Sequence, residues 1–273
     1  MVRLIVYNIE YCEGISGLWW QYLEFWKIFF PPKGLDKRIV DHLRKLKPDI
    51  LALVEIDTGS FRAKKDEVVF FEKNLGMKSF VEKIKYPLEG WLRLFHYVPI
   101  LNKQANAIIA KEKLSKVKYH VFHEGTKRVV IETTIHVPKK VTLLLAHLSL
   151  GKKTRTQQIE ELINIVNNIK NPVILMGDFN TFNGEEEIKR LLKETHLHHK
   201  FQMDKTRKNH RFFVSRKFAK FSRKSQTLTE PAYHPSRRLD YVLTSKRIKV
   251  RNYEVLNFHF SDHLPLLVDF EVN

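Results

Sequence analysis

The chain has 273 residues, 43% of them apolar and 29% charged, a composition that excludes a fibrous or disordered polymer. Its 48 Lys and Arg against 30 Asp and Glu give a formal net charge of +18. That field draws nucleic acid, anionic lipid headgroups or small phosphorylated molecules, although dispersed lysines also fit the Lys-rich composition of heat-adapted proteins. Cys12 is the single cysteine, so no internal disulfide forms; no Gly- or Pro-rich linker interrupts the sequence, and one domain over 1–273 is expected.

A buried strand over 2–7 leads into Asn8. It lacks the features of a signal peptide, and the default expectation is a cytoplasmic chain with no transmembrane helix. Residues 18–30 carry only Gln21, Glu24 and Lys27 as polar members, and their spacing of three predicts a helix with a narrow polar stripe, ended by Pro31 and Pro32. Such a helix is about 20 Å long, too short to span a bilayer. One reading makes it a hydrophobic insertion, about 15–32, that sets Trp19, Trp20 and Trp26 on an anionic membrane surface. The simpler reading packs it against the body or a second copy. Trp91, Leu92, Leu94, Phe95 and Tyr97 would extend the same patch.

An amphipathic helix is expected from Asp36 to Lys47, then a buried strand from Asp49 to Ile56 that delivers Glu55. A helix over 66–75, a weak strand over 78–85 and an aromatic loop over 86–104 follow. The pattern then turns β-rich, with strands over 106–110, 117–122, 128–137 and 141–147. A helix over 154–168 has Thr154 as its expected N-cap. A strand over 173–176 and a helix over 184–193 precede an irregular stretch, 194–236, in which His196, His198 and His199 read as polar surface. Strands over 239–244, 248–256 and 264–272 close the chain. Helices among strands, with crossovers early and late, predict an α/β four-layer sandwich: two packed mixed β-sheets flanked by helices.

Polar residues recur where apolar strands end: Asn8, Glu55, His147, Asp178 with Asn180, Asp240, and Asp262 with His263. Open α/β folds place ligand sites at such ends. Taken singly each has an ordinary structural explanation, since Asp and Asn form turns and a lone His commonly sits in a hydrogen-bonded core position. Asp240 resists it, because a carboxylate between Leu239 and Tyr241 needs a partner. Together they offer hard oxygen ligands suited to Mg²⁺ or Mn²⁺ and imidazoles suited to a phosphoryl group, and no cysteine or HExxH pattern points to zinc.

The ordered set Tyr7-Asn8, Leu53-Val54-Glu55, Asn106-Ala107-Ile108-Ile109, Ala146-His147-Leu148, Gly177-Asp178-Phe179-Asn180, Arg238-Leu239-Asp240-Tyr241 and Ser261-Asp262-His263 resembles the endonuclease/exonuclease/phosphatase superfamily, the deoxyribonuclease I-like fold. The resemblance implies a metal-dependent phosphoesterase using one or two Mg²⁺ or Mn²⁺ ions. Glu55 would be the principal metal ligand, helped by Asn8 and Asp262. Asp178 would orient or deprotonate the attacking water, and Asn180 would position phosphate or nucleophile. His263, with Asp240 on its other ring nitrogen, would contact the scissile phosphate, and His147 would donate to the phosphate or the leaving oxygen. His147 stands where apurinic endonucleases carry Tyr, which moves the chain toward deoxyribonuclease-like and sphingomyelinase-like branches.

Substrate class rests on two segments. Residues 200–224 hold ten Lys or Arg against one acid, net +9, with five phenylalanines interleaved. Cations for phosphates and rings for bases suit a nucleic acid, and also an anionic membrane. Lys205, Arg207, Lys208 and Arg211 there, with Asn106, Arg155 and Arg238, are the expected substrate-binding residues. The leading expectation is a nuclease acting on DNA or RNA. The alternatives are a phospholipid or sphingolipid phosphodiesterase or phosphatase associated with a membrane surface, favoured by the aromatic run, and a non-catalytic binding module that keeps only the fold.

Overall fold

The computed structural model of the chain describes residues 1–86, 90–182, 184–200 and 227–273. Apart from Lys200 the basic segment lies outside the described residues, and so do Lys205, Arg207, Lys208 and Arg211. The elements in chain order are β1 (Val2–Asn8), α1 (Leu35–Leu46), β2 (Ile50–Asp57), α2 (Glu67–Leu75), β3 (Ser79–Ile84), β4 (Gln104–Ala110), β5 (Ser115–Val121), β6 (Val129–His136), β7 (Lys140–His147), α3 (Lys152–Asn167), β8 (Val173–Asp178), α4 (Glu186–Glu194), β9 (Leu197–His198), β10 (Asp240–Ser245), β11 (Ile248–Val255) and β12 (Leu266–Val272).

The strands form two six-stranded mixed sheets, ordered β11-β12-β1-β2-β4-β3 and β5-β6-β7-β8-β10-β9. In the first, β1 runs parallel to β2 and antiparallel to β12; in the second, β7 runs parallel to β8 and β10 antiparallel to it. The period-2 alternation of the strands explains the layering. Along β1, Leu4 and Val6 enter the core between the sheets, beside Ile131, Leu143 and Ile174 of the second sheet. Ile5 and Tyr7 face the other way, against Ile39 and Leu43 of α1 and Phe71 of α2. Leu144, Leu175 and Leu243 of the second sheet meet Ile159, Leu162 and Leu191 of α3 and α4. Three apolar layers between four structural ones make the expected α/β sandwich.

Three local expectations are corrected. Residues 18–30 do not form one helix but two short 3₁₀ turns, Trp19–Leu23 and Phe25–Ile28. Gln21 Oε1 accepts from Ser16 N, Ser16 Oγ and Leu18 N, which pins the first turn, and Glu24 at φ −84°, ψ 46° breaks the second from it. The polar residues thus serve the backbone rather than form a stripe, and the aromatics are not packed away: Trp19 and Phe30 are each 74% exposed and Trp26 is 50% exposed. Helix α3 begins at Lys152 with Gly151 at its N-cap, which puts Thr154 in the first turn. His199 is buried rather than superficial, its ring edge-on to those of Tyr241 and Tyr253.

Candidate active site

The site lies at one end of both sheets. In the first sheet, β2 does not run regularly to its end. Its register against β4 slips between Leu53 and Ile56, and Glu55 takes a left-handed φ of 57°. Asn106 Oδ1 accepts from Glu55 N at 3.1 Å and holds this bulge, which re-aims the carboxylate. After β1 the chain makes a tight turn in which Glu10, Tyr11 and Cys12 all have positive φ, a strained run of non-glycine residues.

In the second sheet, His147 on β7 pairs with Asp178 on β8, and Asp178 pairs with Asp240 on β10. Directly opposed residues share a face, so the three form one row. Gly177 makes this approach possible: at φ 131° it brings the Ala146 carbonyl so near that a Cβ would lie 1.9 Å from it. Asn8 Nδ2 donates to Asp178 Oδ2 at 3.2 Å and joins the two sheets through the site. Ser261 Oγ donates to the Asn8 carbonyl at 2.8 Å and brings Asp262 and His263 in from the far end of the sequence.

His263 Nδ1 lies 2.7 Å from Asp240 Oδ2, and its Nε2 lies 3.9 Å from both Asp178 Oδ2 and Asp262 Oδ1. Burial opposes its charge, but Asp240, Asp262 and Asp178 prevail and hold it protonated well above the usual histidine range. Asp178 is buried and pushed up to about 7, with Asp240 raising it further and His263 and Lys127 opposing. His147 is driven well below its usual value by burial and by Lys127, whose ammonium donates to His147 Nε2. Burial disfavours the charged form of Glu55, yet Lys127, Lys85 and the two histidines outweigh it and keep the carboxylate ionised far below its ordinary range.

The donor set fits a hard divalent cation. Glu10 Oε2 is buried with no hydrogen-bond partner. Burial and the charges of Asp262, Glu13 and Glu55 raise the Glu10 carboxyl well above normal, and burial and Glu55 raise Asp262. Carboxylates that repel one another around an unsatisfied oxygen are relieved by a cation, and with Asn8 they are all oxygen donors, the preference of Mg²⁺ and Mn²⁺. Asp178, Asp240 and His263 also offer ligand atoms within 4.8 Å of one another. The Asp240–His263 bond already occupies Nδ1, so this second group also suits proton handling.

The fold thus converges Asn8, Glu55, His147, Asp178, Asn180, Asp240, Asp262 and His263. Asn180, at φ 51°, donates its backbone N to Asp178 Oδ1 and its Nδ2 to the Leu148 carbonyl. Three residues expected to bind substrate are otherwise engaged. Asn106 is buried and orients Glu55. Arg155 is fully buried, bonded to Glu187 and to the carbonyls of Ser149 and Leu150. Arg238 pairs with Glu185 at 2.9 Å and with Thr227. Sequence reasoning missed Glu10, Lys85 and Lys127. Glu10 carried a signal, the alternation Asn8-Ile9-Glu10; the two lysines had none among so many.

These features define a phosphoester hydrolase site on a deoxyribonuclease I-like scaffold. The chain belongs to the endonuclease/exonuclease/phosphatase family, whose model matches residues 7–263, from the first motif to the last. No protein of curated function matches it in sequence. Among solved structures, a family member from Beutenbergia cavernae superimposes with a TM-score of 0.68 at 17% identity, covering 100% of this chain and 72% of that one. The catalytic domain of human nocturnin, solved with a bound sulfate anion, gives 0.64 at 21% identity, with 100% and 94% covered. A mannosyl-6-phosphatase of Bacteroides thetaiotaomicron gives 0.67 at 12% identity, with 99% and 100% covered.

Proposed function

We propose that the chain is a Mg²⁺- or Mn²⁺-dependent phosphodiester hydrolase acting on nucleic acid. The observation that carries the chemistry is the joint presence of an acid wall with an unsatisfied buried oxygen and, beside it, Asp178 with the His263–Asp240 pair. Glu10, Glu55 and Asp262 would hold the divalent cation, which would supply charge neutralisation at the phosphate. Asp178, steadied by Asn8 and Asn180, is the group that takes the proton of the attacking water. His263, its tautomer and charge fixed by Asp240, turns Nε2 toward the phosphate. His147 and Lys127 add donors on the leaving-group oxygen. The net +9 segment between the Asp178 and Asp240 motifs supports a polyanionic substrate.

A specific observation favours a second reading, hydrolysis of a phospholipid or sphingolipid: the exposed Trp19, Trp20, Trp26, Phe29 and Phe30 form the kind of apolar surface that enters a headgroup layer. One screen separates them. Single-stranded and duplex nucleic acids, and vesicles of phosphatidylcholine, sphingomyelin or phosphatidylserine, are incubated with Mn²⁺ or Mg²⁺. Cleavage of nucleic acid that Asp178→Asn abolishes supports the first reading; turnover of lipid alone installs the second. Activity on neither, at any metal concentration, overturns both readings.

A further inference from the structure

Two lysines crowd the carboxylate that the proposed cation needs. Lys85 Nζ lies 3.6 Å and Lys127 Nζ 3.7 Å from the same atom, Glu55 Oε1. Lys85 is no surface side chain: it is 8% exposed, hydrogen-bonds Tyr11 Oη, and sits 4.8 Å and 5.1 Å from the ring centroids of Tyr11 and Tyr86. An ammonium at that depth needs a fixed countercharge, and Glu55 provides it. Lys127 is less confined, 17% exposed, and divides its contacts between Glu55 and His147.

We infer that Lys85 and Lys127 are built-in counterions of Glu55 that keep the free chain's affinity for a divalent cation low, and that a phosphate group entering the site raises it by drawing Lys127 away. The inference rests on the metal-dependent reading above. A cation at Glu55 must share its carboxylate with two positive charges within 4 Å of it, and like charges at that range repel strongly. A phosphate offers Lys127 a partner with more charge than half a carboxylate. Lys85, boxed by two rings, stays. Because coupling between two ligands is reciprocal, phosphate and cation each tighten the other by the same factor. The site would then fill with metal chiefly when substrate is present.

Calorimetric titration of Mn²⁺ into wild type, Lys85→Met, Lys127→Met and Lys85→Arg, each with and without inorganic phosphate, tests this. Without phosphate, both Met variants bind Mn²⁺ at least about tenfold more tightly than wild type, because even at the effective dielectric of a protein a unit charge a few ångströms away is worth that much. Lys85→Arg, which keeps the charge, behaves as wild type. Phosphate tightens Mn²⁺ binding to wild type and does so far less for Lys127→Met. Met variants whose affinity equals or falls below wild type, with circular dichroism showing them folded, overturn the inference. If Lys85→Met does not fold, the phosphate coupling in Lys127→Met decides alone. A wild type and a Lys127→Met variant that both bind no Mn²⁺, with or without phosphate, sink the metal-dependent reading itself.

Discussion

Asp178 and the His263–Asp240 pair carry the proton chemistry, and each has a conservative test. Asp178→Asn keeps the shape and one of the two accepted bonds, from Asn8 or from Asn180, but removes the base, and His263→Gln keeps a donor without a charge. Each is expected to lower kcat/KM by about 10²–10⁴-fold with an unchanged circular dichroism spectrum, the usual contribution of general acid–base groups. Glu55→Gln is tested through binding: with inorganic phosphate present, Mn²⁺ raises the melting temperature of wild type and leaves that of the variant where it was. Most of these residues were legible in the sequence because each ends an apolar run, where a polar side chain is conspicuous. Glu10 was harder to see, since the left-handed run that turns it inward has no glycine to announce it. Lys85 and Lys127 become functional only through tertiary distance, and a net charge of +18 hides them among their kind.

Among the elements, the segment between β1 and α1 is tied to the body through Arg62. Arg62 donates to Asp57 Oδ2 at 2.9 Å, Glu13 Oε1 at 2.8 Å, and the carbonyls of Ile28 and Tyr11, with its side chain fully buried. Arg62→Leu strips two buried carboxylates of their partner, and urea denaturation is expected to show a loss of about 3–5 kcal/mol. A rise in stability would mean that the network is held for geometry alone. This tether also explains why periodicity misled at 18–30. The hydrophobic spacing suits a helix, but Gln21 holds the first turn locally and Arg62 claims the Ile28 carbonyl from far along the chain, a bond that leaves no local trace. The strands and the other helices were readable because alternation and amphipathic stripes are local. Beside Tyr241 of β10, burial depresses the His199 pKa to about 3, with Arg238 adding to the effect. A group whose folded pKa lies below its unfolded value of 6.5 stabilises fully above pH 6.5 and loses that contribution as pH falls toward 3. Melting curves across that window are therefore expected to drop more steeply for wild type than for His199→Phe.

At the scale of the whole molecule, charge decides how substrate is met. If the basic segment grips a polynucleotide, affinity must fall linearly on a log–log plot against salt. Replacing Lys205, Arg207, Lys208 and Arg211 together by Ala must then flatten the slope by about three to four, a little under one for each phosphate that is no longer neutralised. A slope that the quadruple variant leaves unaltered assigns the grip elsewhere, and the exposed aromatics at 19–30 become the first place to look. Among the described residues no helix is long and apolar enough to cross a membrane.

The pairing of β1 with β12 has a consequence for how this activity comes into being. Val2 to Val6 pair with Phe270 to Leu266, while the second sheet is drawn entirely from residues 115–245. Asn8 and His263 therefore meet only after the rest of the domain has been made and the closing strand has docked beside the opening one. A nascent chain that has exposed only Glu10 and Glu55 still lacks both Asp262 and His263, and a fragment ending after β10 is expected to be inert.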